Sequence, residues 1–410
     1  MKLGKLGIAV TTAALSANVS AGGLYLYEIG TEDVGLAAAG AAARGQDAST
    51  IAFNPAGMTR LDGNQLTFGA QALYGDVDYQ LDGTGALQGN SPGNVVGWFP
   101  GLSTFYSYSV NDRLKLGVGL YGNFGLGLHF DDWAGSQLIK DSTLIALTTQ
   151  PTVAYRFNEQ WSLGLGVGIN YGLFSLKRDS VSGEQKLDDH DWAINGKIGL
   201  LYEPSPTTRF GLTYTSKTDY DFQVSTDVTL SYAIPNPIPG RPDLTLTRTF
   251  SLPLEGMVNT PQQLMVSLFH QIDPGWAVLA NVGWQDWSAF NDNAIFAANR
   301  EVPGSDRLQD TWHVALGIQH QVNDNLRVNT GVAYDSSFYK HQDNTSLTMP
   351  SGDAWRFGVG AQYQLDKNSS LGAAFEYLQM EKSSVPSVLL SGNYDTSSLY
   401  FFTANYSYRF

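Results

Sequence analysis

The chain has 410 residues, 24 basic against 38 acidic, a formal net charge of −14, 15% charged residues and no cysteine. The acidic excess excludes a basic nucleic-acid footprint, and the missing thiols exclude disulfide frameworks, thiol catalysis and thiolate metal sites. Low charge with 44 glycines, 21 tyrosines and 20 phenylalanines, and no later apolar run of about 20 residues, excludes spanning helices and favours strands that are greasy only at alternate positions.

In chain order, residues 1–21 read as a secretory signal peptide. Lys2 and Lys5 make its positive start, Leu6 to Leu15 its short apolar stretch, and Val19, Ser20 and Ala21 a small-residue site that predicts cleavage after Ala21. Without Lys2 and Lys5 the balance is 22 basic against 38 acidic, a net charge of −16. Residues 22–64 do not alternate. Thr31 to Val34 followed by Leu36 to Ala43 reads as one short capped helix of small side chains, and Ile51 to Met58 as a compact turn. The segment is longer than an arm leading to a first strand requires. It is read as a plug, because small residues pack closely in a lumen and a wide barrel left open passes water; a disordered periplasmic tail is the alternative its composition allows.

From residue 65 onward the period is two. The cleanest stretch is 161–173, with Trp161, Leu163, Leu165, Val167, Ile169, Tyr171 and Leu173 on one face and Ser162, four glycines and Asn170 on the other. The pattern recurs at 114–120, 145–157, 210–214, 312–322, 326–334, 355–363 and 371–377. Short turns rich in Asn, Asp, Gly and Pro fall at 111–112, 158–159, 204–207, 273–275, 323–324 and 366–368. Long polar connections fall near 80–96, 128–142, 178–190, 222–260, 288–308, 336–354 and 383–396. Six turns and seven loops join fourteen strands, and an even count with short turns at one end is the pattern of outer-membrane barrels. The chain closes on a last strand in which Tyr400, Phe402, Tyr406, Tyr408 and Phe410 alternate with Thr403, Asn405, Ser407 and Arg409. It places Phe410 on the periplasmic, short-turn side, and the 222–260 loop with Pro235, Pro237, Pro239 and Pro242 outside. Tyr and Trp gather near strand ends, as interfacial girdles require. The expected fold is all-β, a 14-stranded antiparallel transmembrane β-barrel (65–410) holding a small N-terminal helical hatch (22–64).

Motifs for other chemistry fail in context. Gly117, Gly119 and Gly122 match a dinucleotide fingerprint but lie inside a strand with no helix to follow. Asp131-Asp132 and the Asp188–Asp191 run offer hard oxygen ligands without the spacing of a cation site, so no metal and no cofactor are expected. The six histidines scatter and no Gly-x-Ser-x-Gly elbow occurs, so the chain is not read as an enzyme. His313 shares the polar face of its strand with Gln319 and Gln321, which suggests lumen lining.

Gly35-Leu36, Ala43-Arg44, Asp47-Ala48-Ser49 and Asn54-Pro55-Ala56-Gly57-Met58 resemble the hatch of FadL-type long-chain fatty-acid transporters, a family that includes TodX-like channels for aromatic hydrocarbons. Asn54, Pro55 and Ala56 match the hatch signature. Gly117 to Leu126, Trp161 to Gly166, Phe210 to Ser216, and Pro261-Gln262 with Trp276, Trp284 and Trp287-Ser288 extend the likeness over the mature chain. The resemblance implies passive uptake of hydrophobic molecules, foremost long-chain fatty acids, by external binding, hatch movement and sideways exit where the third strand kinks. Asn123, Phe124 and Gly125 sit at that place. It also implies a monomer in the Gram-negative outer membrane. Aromatic or aliphatic hydrocarbons are the alternative cargo, and a general diffusion porin is the second alternative. Pro151 in the fourth strand lacks a ladder donor, and is read as lining a polar lateral slot with the kink or as occupying a bulge. Lys177 and Arg178 are candidates for a ligand carboxylate, or for lipopolysaccharide phosphates at the rim. The loop after Arg178 is shorter than in the fatty-acid transporters, which leaves uncharged cargo open.

Overall fold

The computed structural model describes residues 25–180, 183–234, 244–292, 295–297, 300–302 and 307–410. The expected signal peptide, its cleavage after Ala21, and Pro235, Pro237, Pro239 and Pro242 lie outside the described residues.

Alternation at period two produces fourteen antiparallel strands in one closed barrel. They are β1 (Gln65–Asp76), β2 (Gly97–Ser109), β3 (Leu114–His129), β4 (Asp141–Arg156), β5 (Trp161–Ser180), β6 (Gly183–Ser205), β7 (Thr208–Thr215), β8 (Gln263–Asp273), β9 (Trp276–Gln285), β10 (Thr311–Gln321), β11 (Leu326–Asp335), β12 (Ala354–Gln364), β13 (Ser369–Met380) and β14 (Ser397–Arg409). Each pairs with its sequence neighbour, and β1 closes on β14 from Gln65↔Arg409 to Asp76↔Ser398, which abolishes the open edge that lipid would not tolerate. In β14, Leu399, Phe401, Thr403 and Asn405 are buried inward while Phe402 and Tyr406 face out at 45% and 40% exposure. All six short turns form where expected. Their mechanism is local: the Asn158 side-chain oxygen accepts from the N–H groups of Gln160 and Trp161, both at 2.9 Å, and Asn323 and Asp366 do the same two and three residues on.

Two expected loops are strands instead. β5 and β6 stay paired from Trp161↔Tyr202 to Ser180↔Gly183, so the 178–190 connection is a hairpin. Within 222–260, Thr218–Ile234 pairs with Leu244–Thr260 along a second hairpin beyond the barrel. Both extend past the greasy girdle, where a strand needs no apolar face and hydropathy cannot mark it. Other loops build a cap at the same end, with a small sheet of Asp78–Leu81, Gly93–Asn94, Ser383–Val385 and Gly392–Tyr394.

The N-terminal segment fills the lumen, and its helix is shorter than expected. α1 spans only Thr31–Gly35. Leu36 to Ala43 instead wind through tight turns, Ala39 N–H bonding Leu36 O at 2.9 Å and Ala43 N–H bonding Gly40 O at 2.8 Å. Ala37 and Ala38 have φ of 47° and 62°, a left-handed geometry that costs an alanine about 1–2 kcal/mol and ends an α-helix. A close fit to the wall offsets it: the backbone here lies against Gly331 and Gly358 of β11 and β12, too near for any side chain at either position. α2 (Thr50–Phe53) and a 3-10 turn, Pro55–Arg60, complete the segment.

Candidate functional site

Asn54 is the pivot of the docked segment. Its side chain is fully buried, donates to Ala42 O at 2.7 Å and to Leu200 O of β6 at 3.0 Å, and accepts from Ala56 N–H at 3.0 Å. One amide thus joins two hatch turns to the wall. Pro55 opens the 3-10 turn, where its missing N–H has no partner to lose. Ala56 is fully buried beside Gly164, where a Cβ would come within 2.2 Å of the Ala56 nitrogen.

The wall holds the segment mainly by its main chain. Lys115 Nζ donates to Leu61 O at 2.8 Å, Gln150 Nε2 to Ile51 O at 2.7 Å, and Lys197 to Ala52 O. Arg209 donates to Ala43 O and Arg44 O at 2.9 and 3.0 Å. In return Asn281 Oδ1 accepts from Gly40 N–H at 3.2 Å and Ser267 Oγ from Ala42 N–H at 3.1 Å. Within the segment, burial draws the Arg44 guanidinium below its ordinary range, partly offset by Glu32 and Asp47. None of these wall residues belongs to a motif in the sequence. For Lys115, Lys197 and Arg209 the signal was a lone charge on the inward face of a strand, as at Lys197 between Ala193 and Gly199.

A second anchor is electrostatic. Arg356 of β12 is paired with Glu28 and Asp335, and with Glu376 at 3.1 Å. Glu28 and Glu376 are each 1% exposed. His313, buried as its place among the polar lumen positions suggested, meets Asp335 at 2.5 Å and stacks on Tyr27 at 4.2 Å.

The wall itself opens beside β3. β2 and β3 pair only from Ser109↔Lys115 to Thr104↔Leu120; beyond that, 97–103 has a strand ladder with β1 and not with β3, and 121–129 with β4 and not with β2. The segment just before β2 closes on β3 again where His129 N–H bonds Val95 O at 2.7 Å. The result is a lateral window about 25 Å long in the strand direction. Its β3 margin carries a bulge between Gly122 and Phe124, with Asn123 as the extra residue, and Gly125 at φ 144°. Phe124 turns inward and forms a bridge with Tyr25, so the N-terminal segment backs the window. On the opposite margin Pro100 has no N–H to leave unsatisfied, which suits an unpaired edge.

Pro151 is not brought to this window. It lies opposite Val118, exposed, while the bulge lies opposite Leu147 and Ala146, and the β4–β5 ladder skips Gln150 and Pro151. Pro151→Val is therefore expected to leave uptake within about twofold of wild type, the range of a surface change; a severalfold fall in labelled-cargo uptake would refute this. Lys177 and Arg178 lie at the loop end, already engaged. Lys177 Nζ meets Asp141 at 2.9 Å, and Asp141 meets His129 at 2.7 Å. Arg178 donates twice to Gln185 Oε1, at 3.0 and 2.9 Å. At the same end Trp133, Phe290, Phe338 and Tyr339 are buried in the cap, with Trp287 stacked on Phe338 at 5.0 Å.

The family description "Outer membrane protein transport protein (OMPP1/FadL/TodX)" matches residues 12–410. The chain is 25% identical to the long-chain fatty acid transport protein of Escherichia coli (strain K12), covering 99% of this chain and 98% of that one. It is 29% identical to outer membrane protein P1 of Haemophilus influenzae (strain ATCC 51907 / DSM 11121 / KW20 / Rd), covering 98% and 95%. Among solved structures, a Pseudomonas aeruginosa FadL homologue superposes with a TM-score of 0.78 at 18% identity, over 95% of this chain and 100% of that one. The P. putida toluene transporter TodX superposes with a TM-score of 0.69 at 18% identity, over 92% and 97%. At such identity the structural likeness speaks for the fold alone.

Proposed function

This chain belongs to the OMPP1/FadL/TodX family of outer-membrane transport proteins, and on that premise we propose that it takes up long-chain fatty acids passively. Cargo binds at the loop end, the hatch (22–64) shifts, and cargo leaves sideways through the β2–β3 window. The single observation that carries this reading is that window, unpaired in the wall and backed by the docked N-terminal segment. Unpaired backbone in lipid costs several kcal/mol per group unless something occupies the gap, so an opening here requires use. The short turns and Phe410 face the periplasm, the cap faces outward, residues 1–21 direct export, and the barrel works as a monomer among lipopolysaccharide. The fatty-acid assignment draws on the names of the curated relatives. Aromatic hydrocarbon cargo is the second reading, favoured by Lys177 being already neutralised by Asp141.

Uptake of radiolabelled oleate by Gram-negative cells lacking their own transporter tests the proposal. Saturable uptake is expected from wild type. Asn54→Ala leaves Ala42 O and Leu200 O without their donor, weakening docking by about 1–3 kcal/mol, so the saturable component is expected to fall about tenfold. Folded protein in the outer membrane with no oleate entry would sink the fatty-acid assignment and leave hydrocarbons leading. Steady conductance from wild type in a planar bilayer would instead identify a diffusion porin.

A further inference from the structure

Lys197 of β6 faces the lumen at 4% exposure. Its ammonium donates to Ala52 O of α2, sits 5.9 Å from the Tyr121 ring centroid, and has no carboxylate within 4 Å among the described residues. The other buried wall cations are better supplied. Arg356 has three carboxylates, Arg209 has two carbonyls and the Phe269 ring at 3.6 Å, and Lys115 has Leu61 O and the Ser109 hydroxyl. Lys197 brings three donors to one neutral acceptor, an arrangement that burial penalises. That acceptor belongs to α2, part of the segment that must shift for cargo to pass. Tyr121 is the first β3 residue beyond the last β2–β3 pair, Thr104↔Leu120. The under-supplied cation therefore stands at the inner margin of the window.

We propose that Lys197 receives the anionic head of the cargo and so selects acids over uncharged hydrocarbons of the same length. When α2 withdraws, the ammonium loses its acceptor, and a carboxylate replaces it while neutralising the charge with a charge-assisted hydrogen bond. Ionisable groups inside a membrane protein mark ligand paths for this reason. The proposal rests on the uptake reading above. It is a station separate from Lys177 and Arg178: Lys197 pairs with Gly166, and the run from Gly166 to Lys177 along β5 is about 35 Å, longer than one fatty-acid chain.

The test compares oleate with oleyl alcohol, which has the same chain and no charge, in cells carrying wild type, Lys197→Gln or Lys197→Arg. Glutamine keeps a donor for Ala52 O while removing the charge, and heat-modifiable migration checks that each barrel is folded. Lys197→Gln is expected to lower oleate uptake about tenfold and alcohol uptake by less than about twofold, with Lys197→Arg close to wild type for both. Equal loss of the two probes would make Lys197 a hatch latch only and overturn the proposal, as would unchanged oleate uptake. A wild type that admits the alcohol but not oleate overturns the uptake reading, and this assignment with it.

Discussion

Replacing Gly331 with valine is expected to unseat the plug while the barrel stays intact, giving a steadily conducting pore. A Cβ at Gly331 would lie 1.9 Å from Leu36 O and 2.2 Å from Leu36 C, both main-chain atoms that cannot rotate aside. Gly331 pairs with Gly358, whose own Cβ position lies 2.2 Å from Val34 O, so the segment has no free room on the neighbouring strand. Overpacking of this kind costs about 1–3 kcal/mol or more. Valine suits a strand better than glycine does, so the cost falls on docking and not on the wall. Planar-bilayer recording should show a nearly silent wild type and an open Gly331→Val pore. Gly196→Val is the control: the nearest atom to its Cβ position is Ser216 Oγ at 4.0 Å, and it should stay silent. A closed Gly331→Val channel would mean that the plug repacks around the new side chain.

The second large effect is expected at Arg356. Methionine there keeps most of the volume and removes the one cation shared by Glu28, Asp335 and Glu376. Breaking a buried pair from one side costs about 3–5 kcal/mol, because the abandoned carboxylates stay out of water. Glu28 is the partner on the plug side of the interface, so the 25–30 segment should detach first and its amides should lose hydrogen-exchange protection. A cycle with Glu28→Gln isolates the pair. The double variant should be more stable than the two single losses predict, by about 1–3 kcal/mol. Strict additivity in urea unfolding from liposomes would show that Glu28 and Arg356 are not coupled.

The barrel was legible because lipid imposes a strict rule on it. From Trp161 to Leu173 every second side chain must be greasy, and the six turns announce themselves through residues such as Asn158 and Asp366 that cap their own following N–H groups. Where that rule lapses, so does legibility. Beyond the girdle Lys177, Asp179 and Glu184 lie on strands with polar side chains on both faces, and a loop was the natural expectation. In the plug, the alanine run from Ala37 to Ala43 has high helix propensity, yet contact with Gly331 and Gly358 overrides it. Asn54 was found through a motif, whereas its partners Ala42 and Leu200 are 12 and 146 residues away and no local pattern links them. Phe124 and Gly125 were placed at the kink by resemblance. That the opening falls between β2 and β3, with Pro100 on its far edge, depends on register, which one strand's sequence does not contain.

The manner of docking sets how this protein can change over generations. Lys115, Gln150, Lys197, Arg209, Ser267 and Asn281 all grip peptide groups of the plug and not its side chains. Peptide groups are the same whatever residue bears them. These six wall residues therefore recognise the path of the chain and not its composition, which is read only at side-chain anchors such as Glu28 and Asn54, so mutational drift is tolerated unequally on the two sides of the interface. Exposed or lumen-facing plug positions are free to be retuned for a new cargo, while each wall donor must stay where it is. A plug transplanted from a relative would seat in this barrel provided that it traced the same turns and kept the Glu28 carboxylate and the Asn54 amide.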